Sequence, residues 1–308
     1  MKISERAEKL VEIQTHIKTE KELFDVINGF KKGDKLWFRG HRDVNWVLLP
    51  SADRNAIVYK IKTEKGLKTI DPFFINECFY NDIEKEQVIR MWKCYYQKTD
   101  IFSNYKNNDL ILNLQKAQHR GLKTPLLDWS EDAFVALFFA TLKLNDGECA
   151  LFVLKPEIMN EILGYNKKIY EAKTYVGMLD KPLAIKGSDI NDERIVRQSG
   201  NFIVGGNDTR PLEFYDGSSN YLRKIIIPND VAKKIKNTLE VFGFNENNVL
   251  IGDDILKYKD INEEVDKKIE DMLDEMQALY KNNKNSLYIR LSNLKVNENN
   301  TDITISRF

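Results

Sequence analysis

Residues 118–140, QHRGLKTPLLDWSEDAFVALFFA, decide the fold because they join a polar patch directly to the most apolar segment of the chain. From Phe134 onward this stretch has almost no polar face, which predicts a helix buried on every side. Ser130 is the predicted N-cap, and two acidic residues follow it in the first turn. A helix buried this deeply would hold the residues before it in place. Asp128 and Trp129 therefore either belong to a functional site or serve only as a cap and a hydrophobic contact to the core.

The length and composition set the class of protein. The chain has 308 residues, enough for one large domain or for one domain with an appendage, and 42% of them are apolar. Lys plus Arg and Asp plus Glu number 47 each, so the net charge gives no sign of a nucleic-acid or membrane partner. Three distant cysteines, Cys78, Cys94 and Cys149, predict neither a metal site nor a disulfide framework. Free thiols and the lack of an apolar leader or spanning run predict a cytoplasmic protein.

Helical and strand patterns alternate along the chain. The expected helices are residues 5–17, 73–104, 110–117, 156–163 and 230–239. A further helix is expected directly after a capping box at residues 19–22. The expected strands are residues 36–38, 148–154, 201–204 and 222–227, with 57–72 as a loop or a weak hairpin. Mixed strands and helices in this order predict an α+β domain with a mixed sheet and surrounding helices.

Arg39 and Gly40 follow directly after the short apolar strand predicted at 36–38. An arginine at the end of a buried strand is costly to desolvate unless it meets an anion. That anion is either part of a ligand or an internal carboxylate such as Asp128, and the tripeptide alone favours the internal pair. Because Gly40 has no side chain, it permits the close approach of a ligand or of another backbone segment.

The end of the chain has a different character. An apolar seam at helical spacing predicts an amphipathic helix with an acidic opposite face, and the seam residues are Ile261, Val265, Ile269, Met272, Met276 and Leu279. Strand patterns at 287–291 and 303–305 predict a hairpin after this helix. We therefore expect two domains, residues 1–256 and 257–308. The second domain either packs back on the first or forms a regulatory surface, with 261–308 binding a second copy or an antitoxin.

Three ordered blocks carry a family resemblance. They read WFRGHRDVNWVLLPSADR at 37–54, QHRGLKTPLLDWSEDAFVALFFA at 118–140 and ERIVRQSGNFIV at 193–204. On these blocks the chain resembles the FRG domain, a family named for the Phe-Arg-Gly found here at 38–40. With the later unit IIIPNDVAKKIKNTL, the resemblance covers about residues 19–250. Two positions depart from the family pattern: His41 stands where glutamine is common, and Pro125 stands where arginine is common, so one cation is absent.

The FRG family is in turn similar to ADP-ribosyltransferase-like domains in its strand-borne arginine and its later Gln-x-Gly-x-Phe block. The resemblance implies an ADP-ribosyltransferase-like fold, NAD as a substrate and no metal. The residues implied to bind NAD are Arg39, Gly40, Thr124 and Trp129, with the guanidinium on the pyrophosphate. The residues implied to act in catalysis are His119, Asp128, Gln198 and Glu213. Glu193 is a further candidate for the carboxylate, because Gln198 can orient a hydroxyl but cannot act as a base.

Two functions remain open after these observations. The first is an NAD-dependent ADP-ribosyltransferase-like enzyme that modifies a nucleic acid or a protein, as a bacterial or prophage toxin or an antiphage defence effector. The second is a non-catalytic FRG module that recognises a nucleotide, a nucleic acid or a phage protein. For the enzyme we expect Arg39, His119, Asp128 and Gln198 to converge on one cleft.

Overall fold

The computed structural model describes residues 11–51, 57–63, 66–70, 110–119, 121–144, 146–172, 181–187, 193–206, 211–250 and 302–307, with Glu263 and Lys267. Its strands are β1 (Gln14–His16), β2 (Trp37–His41), β3 (Ile57–Thr63), β4 (Gly66–Ile70), β5 (Leu126–Ser130), β6 (Cys149–Leu154), β7 (Leu183–Lys186), β8 (Gly200–Val204), β9 (Leu222–Ile227) and β10 (Asp302–Arg307). Its helices are α1 (Glu20–Asn28), α2 (Leu110–His119), α3 (Ala133–Thr141), α4 (Pro156–Ile162), α5 (Glu193–Arg197), α6 (Ser218–Tyr221), α7 (Asn229–Val241) and α8 (Glu246–Val249). A short 3-10 turn covers Leu212–Phe214.

The larger of two compact units is built on a seven-stranded sheet in the order β1-β9-β6-β2-β5-β8-β7. Neighbouring strands are antiparallel except for the parallel pair of β1 and β9, so the sheet is mixed. Together with the helices around it, this arrangement confirms the predicted α+β class. None of the helices in the described ranges is long and apolar enough to cross a membrane.

The central strand β2 is paired very unevenly with its two neighbours. It pairs with β6 along its whole length, from Trp37 with Leu154 to His41 with Ala150. It pairs with β5 only at Phe38 with Ser130. The backbone ladder between β2 and β5 therefore ends just before Arg39, and the arginine follows the only pair that joins these two strands.

The apolar helix α3 is mostly buried, as its sequence predicts, although Phe134 in its first turn is 37% exposed. Its residues Val135, Ala136, Leu137, Phe138 and Ala140 are all at most 5% exposed, and they share a core with β2, β6, α1 and α7. The helix has no polar stripe along its surface, so burial from several sides is the stable arrangement. Predicted helices at 110–117, 156–163 and 230–239 and predicted strands at 148–154, 201–204 and 222–227 are also confirmed, within a few residues at their ends.

Gly40 is the point at which α3 comes closest to the sheet. A Cβ atom on Gly40 would lie 1.9 Å from the carbonyl oxygen of Ala136 and 2.6 Å from the backbone nitrogen of Ala140. No side chain fits at such distances, so a glycine is required for this packing. The close neighbour of Gly40 is thus the backbone of α3.

The prediction of a helix through residue 17 is wrong at its C-terminal end. Gln14–His16 form the edge strand β1, which pairs in parallel with Lys224, Ile225 and Ile226 of β9. The residues on either side, Ile13 and Ile17, are buried in the cores on opposite faces of the sheet. The open edge of β9 supplies backbone hydrogen-bond partners, and this tertiary pairing overrides a helical pattern of moderate strength.

The predicted N-cap of α3 is also wrong. Ser130 is the last residue of β5, and Asp132 caps the helix by accepting a hydrogen bond from the N–H of Phe134 at 2.7 Å. Ser130 is held in the extended strand by pairing with β8. Its hydroxyl still takes part in the turn, because it accepts from the N–H of Asp132 at 2.9 Å.

The second unit comprises residues 51–105, 117–123 and 254–308. Its described part contains a three-stranded antiparallel sheet in the order β10-β3-β4. The weak hairpin predicted at 57–72 is confirmed as β3 and β4, and the C-terminal strand β10 pairs with β3. Residues of the expected second domain thus share a sheet with residues of the expected first domain. The helix predicted at 73–104, most of the seam helix and the strand predicted at 287–291 lie outside the described residues.

Candidate functional site

The candidate site lies on the sheet face opposite α3. Alternate residues of a strand point to the same face, so Trp37, Arg39 and His41 of β2 share this side. The segment that follows β2, residues 42–48, has no strand pairing, and we call it the 42–48 loop. Side chains from the sheet and from the 3-10 turn bind this loop, and together they form a buried group of ionisable residues.

Arg39 is the cation of the site that is nearest to solvent. Its Nη1 donates to the backbone carbonyl of Asp128 at 2.6 Å and lies 3.8 Å from the Oδ2 atom of the same residue. Its Nε donates to Nε2 of His41 at 3.0 Å. The side chain of Arg39 is 16% exposed and that of Asp128 is 54% exposed. The internal pair expected for Arg39 is therefore present, although the guanidinium is closer to the carbonyl than to the carboxylate.

His41 is packed into the interior directly beside this arginine. The residue is 3% exposed, and its ring contacts Phe152 and Trp46 edge-on at centroid distances of 5.0 and 6.0 Å. Its Nδ1 lies 3.3 Å from the backbone carbonyl oxygen of Trp46. His41 therefore links Arg39 to the 42–48 loop.

Glu213 is the carboxyl group most altered by its surroundings. It is 1% exposed, and both of its carboxylate oxygens accept from the N–H of Leu48, at 3.0 and 3.1 Å. Burial raises the pKa of Glu213 to about 7, although hydrogen bonds from its own backbone and from Leu48, and the charges of Lys224 and Arg39, act in the opposite direction. A carboxyl group with this pKa can take up or release a proton near neutrality, which suits general acid–base chemistry.

Lys224 is a site residue that the sequence patterns did not single out. It stands in β9 among isoleucines, and its Nζ donates to the carbonyl of Val44 at 2.5 Å and lies 5.3 Å from the ring centroid of Phe152. Burial lowers the pKa of Lys224, while the charges of Glu213 and Asp43 raise it. A lysine followed directly by three isoleucines in a strand pattern was the available sequence signal, because such a side chain needs a buried partner.

The 42–48 loop is held by ionisable side chains as well as by backbone hydrogen bonds with Glu148 and Leu212. One lysine, one histidine and one glutamate contact every second residue of the loop, at Val44, Trp46 and Leu48 respectively. These three side chains come from β9, β2 and the 3-10 turn respectively.

Several residues implied by the family resemblance have other contacts in the structure. Thr124 is fully buried, and its Oγ1 accepts from the N–H of Leu126 at 3.3 Å. Trp129 is 3% exposed within the core, and in the described part of the chain its indole N–H has no hydrogen-bond partner. The side chains of His119 and Glu193 lie outside the described residues.

Gln198 lies just before a late strand, β8, and is not part of it. It occupies the turn between α5 and β8, where its carbonyl accepts from the hydroxyl of Ser130 at 2.6 Å. Its side-chain amide donates to the carbonyl of Val249 at 3.0 Å. This amide ties the turn to the end of α8, and the structure brings Glu213, rather than Gln198, into the electrostatic reach of Arg39.

A surface groove is present on the other face of the sheet. Its lining includes Phe138 of α3, Leu239 of α7 and Phe244 in the turn that follows α7. This groove is separated from Glu213 by the sheet itself, so it is not part of the ionisable group. Among the described residues no group of three or more histidine, cysteine, aspartate or glutamate side chains could hold a metal ion.

The chain was compared with curated proteins, solved structures and protein-family models. No curated protein and no solved structure matches this chain. Residues 34–149 match the family model of the FRG domain. The match includes Arg39 and Asp128 and ends before Glu213, and it is shorter than the span suggested by the three sequence blocks. The family model therefore supports, over residues 34–149, the similarity to the FRG domain that the Phe-Arg-Gly and Leu-Leu-Asp-Trp blocks indicated.

Proposed function

We propose that this protein is an NAD-dependent ADP-ribosyltransferase-like enzyme in which Arg39 binds the pyrophosphate and Glu213 supplies acid–base chemistry. The observation that carries the proposal is the carboxyl group of Glu213, whose pKa is raised to about 7 by burial while the nearby charge of Arg39 acts in the opposite direction. A partly exposed guanidinium and a proton-exchanging carboxyl thus act within one electrostatic group. Titratable groups altered in this way are concentrated at functional sites.

Each residue has a chemical role in this proposal. A guanidinium binds two oxygens of a pyrophosphate through parallel N–H bonds, and Arg39 is the cation of the group with access to solvent. Transfer of ADP-ribose breaks the bond between ribose and nicotinamide and forms a bond to an acceptor nucleophile, which loses a proton. Glu213 in its ionised form would accept that proton. Asp128, half exposed beside Arg39, would orient the ribose or the acceptor.

The acceptor in this proposal is a macromolecule, either a nucleic acid or a protein. Modification of such an acceptor would suit a toxin or an antiphage defence effector. The balanced charge of the chain favours neither class of acceptor.

A non-catalytic binding module is the second candidate, and one observation favours it. Glu213 is 1% exposed, and both of its oxygens already contact the N–H of Leu48. A substrate would reach this carboxyl only after the 42–48 loop moved. A binding module would need Arg39 alone and would leave Glu213 as the support of the loop.

The test uses the full-length protein with NAD. Binding is measured by calorimetry, and turnover is measured as nicotinamide release with and without cell extract as the source of acceptor. Arg39→Lys should weaken NAD binding at least tenfold, because a lysine lacks the planar fork of the guanidinium. Arg223→Lys is the matched control, since Arg223 also donates to a backbone carbonyl, that of Glu12.

The outcomes separate the two candidates. For the enzyme, Glu213→Gln should keep NAD binding and lose nicotinamide release. Binding of NAD without release in any extract would leave the binding module as the function. If NAD does not bind to the unmodified protein, the proposal of an NAD-dependent enzyme is refuted.

A further inference from the structure

We infer that His41 is a positioning residue, which orients the Arg39 guanidinium for ligand binding through a neutral imidazole with its proton on Nδ1. The inference deepens the proposed function, because it rests on Arg39 as the ligand-binding cation. It concerns regulation of that site, and it predicts that ligand binding requires an unprotonated His41.

The hydrogen-bond partners of His41 determine its tautomer. A guanidinium stays protonated in proteins, so Nε of Arg39 can only donate a hydrogen bond. Nε2 of His41, 3.0 Å away, must then accept, and it carries no proton. On the other side of the ring, the carbonyl of Trp46 can only accept, so Nδ1 at 3.3 Å must donate. The Nε2 contact therefore requires a neutral imidazole, and the Nδ1 contact assigns its single proton to Nδ1.

The imidazole ring cannot easily change its orientation to accommodate a second proton. It is 3% exposed and lies edge-on to Phe152 and to Trp46, so both of its sides are packed. The orientation of the ring fixes the position of Nε2, which accepts the hydrogen bond from Nε of Arg39. The second contact of Arg39, to the carbonyl of Asp128, then aligns the plane of the guanidinium.

Protonation of His41 would turn this support into a repulsion. The new N–H on Nε2 would point at the N–H of Arg39, so the hydrogen bond would be lost and two cations would face each other. The ionisable groups around the imidazole are Arg39 on the same strand, Lys224 on β9, Glu213 on the 3-10 turn, and Arg42 and Asp43 in the loop.

In acid the site also loses the negative charge of Glu213. Glu213 becomes neutral as the pH falls through about 7, so the buried anion nearest to Arg39 and Lys224 is lost. The remaining buried charges are then cations. Because a protonated Nε2 cannot accept from Nε of Arg39, we expect acid to release Arg39 from His41. The guanidinium then loses its orientation, which weakens the binding of an anionic ligand.

The experiment compares the full-length protein with two variants, His41→Gln and His41→Phe. Glutamine offers Arg39 a carbonyl acceptor that does not titrate, whereas phenylalanine keeps an aromatic ring against Phe152 and offers no acceptor. NAD affinity is measured by calorimetry from pH 5.5 to 8.5. Nitrogen-15 NMR of the unliganded protein reports the histidine tautomer and the solvent exchange of the Arg39 Nε–H.

We expect the unmodified protein to lose NAD affinity by about tenfold to a hundredfold between pH 8.5 and 5.5, the typical effect of one charge-assisted hydrogen bond. The phenylalanine variant should bind more weakly by about the same factor at pH 8.5, and glutamine should restore the affinity without the acid loss. Glu213 titrates in every variant, so the difference between the pH profiles reports His41. The NMR spectrum should show the proton on Nδ1.

Three results would overturn the inference: a proton on Nε2, a phenylalanine variant with unchanged affinity, or a glutamine variant that keeps the acid loss. If NAD fails to bind to the unmodified protein at every pH, the proposed function is the claim that fails. The tautomer and the exchange of the Arg39 Nε–H, which NMR measures without ligand, still decide whether His41 positions the arginine.

Discussion

Replacement of Glu213 by glutamine should stabilise the protein at alkaline pH. The carboxyl has a pKa of about 7 in the folded protein against an ordinary value of 4.5, and this difference corresponds to about 3 kcal/mol of unfavourable ionisation. The protonated acid is tolerated in the interior, and the ionised form is not well solvated there. Glutamine resembles the protonated acid, because it is neutral and its Oε1 can still accept from the N–H of Leu48.

The sign of the pH dependence follows from the raised pKa. Below pH 4.5 the carboxyl is protonated in both states, so its contribution to stability is fully present. Between 4.5 and about 7 only the unfolded state releases the proton, and the free energy of unfolding falls by about 1.4 kcal/mol per pH unit. Above about pH 7 the carboxyl is ionised in both states, and its contribution to stability is fully lost. Glu213→Gln should thus match the unmodified protein near pH 4.5 and exceed its stability by about 3 kcal/mol at pH 8.

Urea unfolding at several pH values measures this difference in stability. Unfolding is monitored by tryptophan fluorescence, to which the buried Trp37 and Trp129 contribute. Glu240→Gln, an exposed change on α7, is the matched control and should show no such trend. A constant difference between pH 5 and pH 8 would refute the reasoning. A glutamine variant less stable at pH 8 would show that the contacts of the carboxylate with Leu48, Lys224 and Arg39 outweigh its burial.

Two further changes probe the packing at Gly40 and the exposed carboxylate beside Arg39. Gly40→Ala should lower the free energy of unfolding by more than about 4 kcal/mol or prevent folding, because its Cβ would lie 1.9 Å from the carbonyl oxygen of Ala136. Gly147→Ala is the control, because no atom lies near its Cβ. Equal urea midpoints for the two variants would contradict this packing. Asp128→Asn should reduce nicotinamide release and leave the melting temperature nearly unchanged, because the exposed ion pair of Asp128 with Arg39 contributes little to stability. Unaltered nicotinamide release would remove Asp128 from the site.

Much of the fold is determined locally by the sequence. The continuous apolar run from Phe134 predicts a buried helix, and α3 is one, because no orientation of such a helix leaves a polar side for water. The capping contact of Thr19 with the N–H of Glu22 is equally local. The strand predicted at 36–38 is present at Trp37 and Phe38, but it begins one residue later and continues through Arg39 and Gly40 to His41, because β6 pairs with it over that length.

The elements that were wrongly predicted depend on distant partners. Gln14–His16 are extended because the edge of β9 accepts them, and no neighbour in the sequence reports that edge. Ser130 remains in β5 because β8 pairs with it, so the cap moves to Asp132. In both cases backbone hydrogen bonds between segments outweigh a local preference of about 1 kcal/mol.

The ionisable group could not be assembled from the sequence either. Arg39, Asp128 and Glu213 were candidates because of the resemblance to the FRG domain, which names residue types without showing their neighbours. The contact of Glu213 with Leu48 spans 165 positions, and that of Lys224 with Val44 spans 180. A charged side chain in a strand pattern predicts either an exposed edge or a buried partner, and only the folded sheet decides between them. The sequence alone determined which segments are buried, while the tertiary structure decided which charges share the interior, because desolvation and charge pairing act between residues that only folding brings together.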